Sequence, residues 1–252
     1  MARKTGKAKK AGELISLFRE LMTFLEEKGD KVFEITKEQF HKIKLRFHGK
    51  SFAIIGAGES GKTSFINVLR NPSFDVDPML YSKTQEIEEF KTKIIQYNLP
   101  VTDGSELSSI KLKLRKPKDV GGEKTHRKEG GWAQVCEGAD FVFYILDAYE
   151  FEKNDEMKNR FDEDVQWISE NNQLYAPNFG IILFINKMDK ISLDQKKRKE
   201  WADNNIPKIE AQLKNSLEAY HKHFLLAIPI SLVSKVNRAN AISTALLKVI
   251  ER

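Results

Sequence analysis

Gly56-Ala57-Gly58-Glu59-Ser60-Gly61-Lys62-Thr63 is a complete GxxxxGKT loop, set directly after the apolar run Phe52, Ala53, Ile54, Ile55 and before the helical run Ser64 to Arg70. A phosphate chain needs backbone N–H groups at close approach. Gly56, Gly58 and Gly61 permit this because no Cβ intervenes, and the N-terminus of the next helix adds its dipole. Lys62 is placed to reach β- and γ-phosphates, and the Thr63 hydroxyl to bind Mg²⁺. The strand, loop and helix in this order predict a nucleotide phosphate site formed by Gly56, Gly58, Glu59, Ser60, Gly61, Lys62, Thr63 and Ser64.

Working outward, the chain from residue 48 alternates strand-like and helix-like blocks, the pattern of a parallel sheet covered on both faces. The strand at 51–55 feeds the loop, and the helix after it runs to about Leu69. Glu88 to Leu99 and Ile110 to Arg115 read as strands joined through the turn-rich Thr102-Asp103-Gly104-Ser105, hence an antiparallel edge hairpin. Phe141 to Leu146, Gly180 to Ile185 and Leu225 to Ile230 are short apolar runs that read as buried central strands. Helical stretches lie around 154–170, 196–221 and 239–251. The expected fold class is α/β, a P-loop NTPase with a mostly parallel sheet, one antiparallel edge hairpin and helices on both faces. Without repeats or a Pro/Ser-rich linker, residues 48–252 read as one nucleotide-binding domain behind an extension at 1–47.

The extension carries the charge. The formal net charge is +6; residues 1–50 hold 13 Lys/Arg against 7 Asp/Glu, and residues 51–252 hold 29 against 29. Arg3, Lys4, Lys7, Lys9 and Lys10 make a basic tail attracted to anionic surfaces. Leu14, Ile15, Leu17, Phe18, Leu21, Met22, Phe24 and Leu25 then form an amphipathic helix over 13–27 that Gly29-Asp30 ends. Three uses are open to it: packing on the domain body, docking into a partner, or lying on a membrane surface beside the tail, so that residues 1–28 face anionic lipid. A second helical segment, Thr36 to Phe47, starts with Thr36 as N-cap and Gln39 three residues on. The single cysteine, Cys136, rules out an internal disulfide and reads as a small buried apolar side chain in a reducing compartment. No run approaches 18 uncharged apolar residues, Ala2 stands where myristoylation needs glycine, and the chain ends Ile250-Glu251-Arg252 without a prenylation cysteine. The expected location is cytoplasmic, with peripheral membrane contact open and no specific nucleic-acid binding.

Two further motifs specify the ligand. Asp119-Val120-Gly121-Gly122 follows the second hairpin strand: an Asp there can hold Mg²⁺ through water, and the Gly122 N–H can meet a γ-phosphate oxygen. Asn186-Lys187-Met188-Asp189 follows the strand at 180–185. The Asp189 carboxylate can accept two hydrogen bonds from N1–H and the exocyclic amine of guanine, Asn186 can address O6 or N7, and the Lys187 stem can lie over the ring. Adenine would leave Asp189 unpaired, at a cost of about 1–3 kcal/mol or more.

The three motifs in this order resemble the Ras-like GTPase superfamily, and within it the Arf-like and heterotrimeric G-protein α-subunit branch, over about residues 50–252. GAGESGKT is similar to the α-subunit phosphate loop, DVGG to switch II, NKMD to the guanine motif, and Trp132 to the tryptophan of the Arf switch II helix. The resemblance implies GTP and GDP as ligands with Mg²⁺, and places guanine-contacting backbone at Ser231 and Leu232. It also implies Thr84 as the switch I threonine joining Thr63 and Asp119 around the metal, and protein effectors or regulators at the switch loops near 81–90 and 119–135. Lys62, Gly122 and Thr84 would then serve catalysis together with residue 123.

The chain departs from that family at two points. Glu123 stands where the family has the glutamine that orients attacking water; an ionised carboxylate there is repelled by the γ-phosphate and donates no hydrogen bond. Tyr81 stands where α subunits carry their arginine finger, a group worth about 10³ to 10⁵ in rate. The expected activity is GTP hydrolysis that is slow without a partner. The rivals are a GTP-bound pseudoenzyme acting as a binding module, and a P-loop ATPase in which Asp147 serves as Walker B carboxylate. Lys124, His126, Arg127 and Lys128 read as a solvated charge run.

Overall fold

The computed structural model describes residues 34–76, 88–89, 94–99, 101, 108–114, 118–119, 125, 127 and 129–250, with backbone alone at 88–89, 94, 96, 108–109, 114 and 118–119. The amphipathic segment 13–27 therefore lies outside the described residues. In chain order the elements are α1 (Lys37–Phe47), β1 (Ser51–Gly56), α2 (Lys62–Arg70), β2 (Glu88–Glu89), β3 (Ile94–Leu99), β4 (Ser108–Leu114), β5 (Lys118–Asp119) and α3 (Gly131–Cys136). They continue with β6 (Phe141–Asp147), α4 (Ala148–Lys153), α5 (Asp155–Glu170), β7 (Gly180–Asn186), α6 (Met188–Ile191), α7 (Gln195–Leu217), β8 (Phe224–Pro229) and α8 (Lys235–Ile250).

Six strands form one sheet in the order β3-β4-β1-β6-β7-β8, parallel throughout except for the antiparallel edge pair β3 and β4. The edge pair is the expected hairpin, with one change. The single strand expected over 88–99 is described as β3 at 94–99 and a separate two-residue strand, β2, which pairs antiparallel with β5 outside the main sheet.

The apolar runs of β1, β6 and β7 are buried at every position because both sheet faces are covered. Alternation divides them between two cores. Phe52, Ile54, Phe141, Phe143 and Ile145 face Phe65 and Leu69 of α2, Ile43 and Phe47 of α1, and Ile242 and Leu246 of α8. Ala53, Ile55, Val142, Tyr144 and Leu146 face Trp132 of α3, Phe161 and Val165 of α5, and Ile206 and Leu213 of α7. The first core has an aromatic centre, with the Phe65 ring 4.7 Å from that of Phe184 between centroids and edge-on to Phe143 at 6.2 Å.

The Thr36 cap is present as a complete capping box: its Oγ1 accepts from the Gln39 N–H, and Gln39 Oε1 accepts from the Thr36 N–H. This start seats α1 on the sheet, so that Ile35, Ile43 and Phe47, within the stretch expected as extension, sit in the first core. Ile35 also forms a parallel bridge with Val101, just beyond β3. Cys136 is fully buried. Among the described residues no helix is long and apolar enough to cross a membrane. The architecture is a mostly parallel α/β sheet with one antiparallel edge pair, helices on both faces and the GxxxxGKT loop between β1 and α2, as expected for the class.

Candidate nucleotide site

Because β1, β6, β7 and β8 are parallel, their C-terminal ends lie along one sheet edge, where ligands of open α/β sheets are bound. The GxxxxGKT loop leaves β1 there and enters α2 at Lys62. Two of its glycines are required by close approach. A Cβ on Gly56 (φ +148°) would stand 2.2 Å from the Ile145 carbonyl oxygen, and one on Gly61 (φ +97°) 2.4 Å from Asn186 Nδ2. Lys62 is nearly fully buried and donates through Nζ to the Ala57 carbonyl at 2.8 Å, so the ammonium is held over its own loop.

The guanine-type motif is tied to that loop directly. Asn186 closes β7, is 3% exposed, and donates from Nδ2 to the Ser60 carbonyl at 2.8 Å. Its Oδ1, like the hydroxyl of fully buried Ser60, has no hydrogen-bond partner among the described residues. Left unpaired, either is costly when buried; the Ser60 hydroxyl can donate to a phosphate oxygen, and the Asn186 oxygen, an acceptor, can take an N–H or O–H of a bound ligand. Lys187 follows in the left-handed region, φ +62°, which turns the backbone into α6 and brings Asp189 round.

Asp189 Oδ1 accepts from the Ser231 hydroxyl at 2.5 Å, and the Ser231 N–H donates to Asn237 Oδ1 at 2.6 Å. The β7 and β8 ends are further joined by the Ile230 N–H to the Ile185 carbonyl at 2.8 Å. Leu232 lies against the same loop, its Cδ1 3.4 Å from where a Gly61 Cβ would stand. The structure thus brings Gly56, Ser60, Gly61, Lys62, Asn186, Asp189, Ser231 and Leu232 to one end of the sheet.

Two contributors were not read as such from sequence. Asp147 ends β6 and is buried; its Oδ1 accepts from the N–H groups of Tyr149 and Glu150 at 3.0 and 3.1 Å, and its Oδ2 pairs with Lys187 Nζ at 2.6 Å. It is committed to capping α4 and to holding the lysine of the NKMD segment, not to a metal. Its only sequence signal was an acid closing an apolar run. Arg238, in the first turn of α8, had none; it donates to the Leu232 carbonyl at 2.8 Å and to the carbonyls of Pro72 and Phe74 at 2.5 and 2.6 Å.

The switch side is covered in part. Tyr81, Thr84, Gly122 and Glu123 lie outside the described residues, and of Asp119 the backbone alone is described, opposite Glu88 in the β2–β5 pair. Arg127 corrects the expectation of a solvated charge run. It is 8% exposed and pairs through Nη1 with Asp164 Oδ1 at 2.6 Å and through Nη2 with Glu163 at 2.8 Å. Asp164, fully buried on α5, also accepts from Arg160 Nε at 2.7 Å and from the Tyr144 hydroxyl at 2.8 Å. Burial pushes the Asp164 carboxyl upward against the opposing pull of Arg160, Tyr144 and Arg127. The cause of the misreading is tertiary: a carboxylate 37 residues downstream in sequence converts one cation of the run into a core group.

Magnesium in phosphate sites takes few protein ligands and keeps waters and phosphate oxygens. Thr63, half-buried as the second residue of α2, fits that requirement with its hydroxyl. Among the described residues no group of three or more His, Cys, Asp or Glu side chains could hold a metal by itself.

A scan against protein-family models and a search of curated protein sequences return no match. Solved structures do. The structure of the mammalian SRP receptor matches with a TM-score of 0.49 at 13% identity, over 79% of this chain and 100% of that one. The structure of Methanosarcina barkeri Roco2 RocCORdC bound to GDP matches with a TM-score of 0.43 at 17% identity, over 80% of this chain and 48% of that one.

Proposed function

We propose that this chain is a guanine-nucleotide-binding switch of the Ras-like kind that binds GTP with Mg²⁺ and hydrolyses it slowly when no partner is present. The observation that carries the reading is the junction of the two motifs through Asn186. One side chain touches the phosphate loop at Ser60, keeps a buried unpartnered oxygen, and stands three residues before Asp189. Asp189 offers guanine the acceptor pair that adenine cannot use. Thr63, with Thr84 and Asp119 from the switch segments, would hold the metal, which when bound neutralises charge on the phosphates. Lys62 and the Gly122 N–H would stabilise the γ-phosphoryl group. Effectors or regulators would read the loops near 81–90 and 119–135, and residues 1–28 would lie toward an anionic membrane from the cytoplasmic side.

Competition between GTP, GDP and ATP for the purified chain tests the base assignment. Strong preference for guanine, lost in Asp189→Asn, is the expected result; equal affinity for ATP and GTP would overturn it. The sequence favours a second reading, a GTP-bound pseudoenzyme, through Glu123 and Tyr81. Single-turnover hydrolysis separates the two: phosphate release no faster than in protein-free buffer, and unchanged in Glu123→Gln, would leave binding as the whole function.

A further inference from the structure

Arg238 is 2% exposed, yet among the described residues its three hydrogen bonds all go to main-chain carbonyls and none to a carboxylate. Nearby Asp75 is taken by Lys235 at 2.7 Å, at the surface. A guanidinium buried on these terms is expensive, and replacing it by an apolar side chain would leave three carbonyls unmatched. The carbonyls belong to two segments far apart in sequence. Leu232 follows Ser231, the residue that holds Asp189. Pro72 and Phe74 belong to the turn after α2, closed by the Phe74 N–H to the Asn71 carbonyl at 2.8 Å and the Ser73 N–H to Asn71 Oδ1 at 3.1 Å. Thr84 follows that turn in sequence.

We infer that Arg238 is a positioning residue that clamps the base-binding loop at Ser231–Leu232 to the turn at Pro72–Phe74, so that the residence time of the nucleotide depends on whether that turn stays seated. The inference rests on the guanine-nucleotide reading for its effect on ligand and not for the clamp itself. The planar fork is suited to the task because two carbonyls two residues apart meet one terminal nitrogen while the other nitrogen reaches across to Leu232; a lysine ammonium can satisfy one side at a time. The hydrogen bond from Ser231 to Asp189 then depends on a loop anchored through α8. A partner that lifts residues 72–75 would loosen the base contact without touching the base.

The test uses the full-length chain loaded with fluorescent GDP. Arg238→Gln is expected to release GDP at least about tenfold faster, and Arg238→Lys to recover part of the difference. Lys235→Ala, which removes the adjacent surface pair, is expected to stay within about twofold of wild type. Hydrogen exchange on the nucleotide-free proteins is expected to rise in Arg238→Lys at 73–76 and at 231–234 together, with β7 unchanged. GDP release within twofold of wild type in both Arg238 variants, or loosening of only one of the two segments, overturns the clamp. If Arg238→Gln does not fold, the Lys variant carries the same decision. If the wild-type chain binds no guanine nucleotide, the functional reading fails and exchange alone decides the clamp.

Discussion

Gly61 shows how little freedom single positions at this site have. With φ at +97° and Asn186 Nδ2 2.4 Å from any added Cβ, Gly61→Ala must both strain the backbone and break the Asn186 to Ser60 link. Loss of measurable nucleotide binding is expected, with unfolding shifted by about 1–3 kcal/mol in urea titration. Asp147 is the second test. Asp147→Asn keeps an oxygen for the α4 cap but removes the ion pair with Lys187, and with Lys187 14% exposed a loss of about 3 kcal/mol is expected, the low end for a broken buried pair. A stability unchanged within 0.5 kcal/mol, a margin typical of surface substitutions, would show that water replaces the carboxylate. That Gly61, Lys62, Asn186 and Asp189 would meet at one end of the sheet was legible because each motif fixes spacing along the chain. Asp147 and Arg238 were not, because what they do is set by partners 40 and 166 residues away, which no local pattern records.

Among the elements, α5 and the segment carrying Arg127 are bound by a charge network whose members differ in exposure. Asp164 is fully buried between two guanidiniums and a phenol, whereas Glu163 is 43% exposed. Asp164→Ala is therefore expected to cost about 3–5 kcal/mol and Glu163→Ala less than about 1 kcal/mol, read from denaturant midpoints. Equal costs would mean that the network is solvated as a whole. Strands were easier to place from sequence than helices. β1, β6 and β7 announce themselves as apolar runs because both faces of a parallel sheet are buried. α7 carries Pro207 in its interior, a residue that ordinarily ends a helix, and continues because Ile206, Ile209 and Leu213 pack against the second core on either side of it. α4 went unread because its six residues hold too few apolar positions to show a period.

Over the whole molecule, burial of weakly acidic groups sets the response to alkali. The Cys136 thiol, fully buried beside Tyr175, is pushed up to about 12, and burial likewise raises the phenols of Tyr97, Tyr144 and Tyr175. Unfolded, the thiol ionises near its ordinary value of 9.0 and the phenols near 10.0. The folded chain thus keeps protons that the unfolded chain gives up. Stability from these groups is whole below about pH 9 and falls as pH rises toward 12. A urea midpoint that is flat from pH 9 to 11 would contradict this. For the same reason Cys136 is expected to resist alkylation at pH 8 until denaturant is added. The strand order itself followed only in class from sequence; the pairing of β4 with β1 and the separation of β2 from β3 are long-range choices. One of those choices also fixes a direction in space. β3 runs against β4, so Val101 lies at the end of the sheet opposite the phosphate loop, and Ile35 is bridged to it. The chain before residue 34 therefore joins the domain at that far pole. Held by a tether there, on a bead, a membrane or a fusion partner, the protein would turn its GxxxxGKT-loop end away from the anchor and toward whatever approaches from solution.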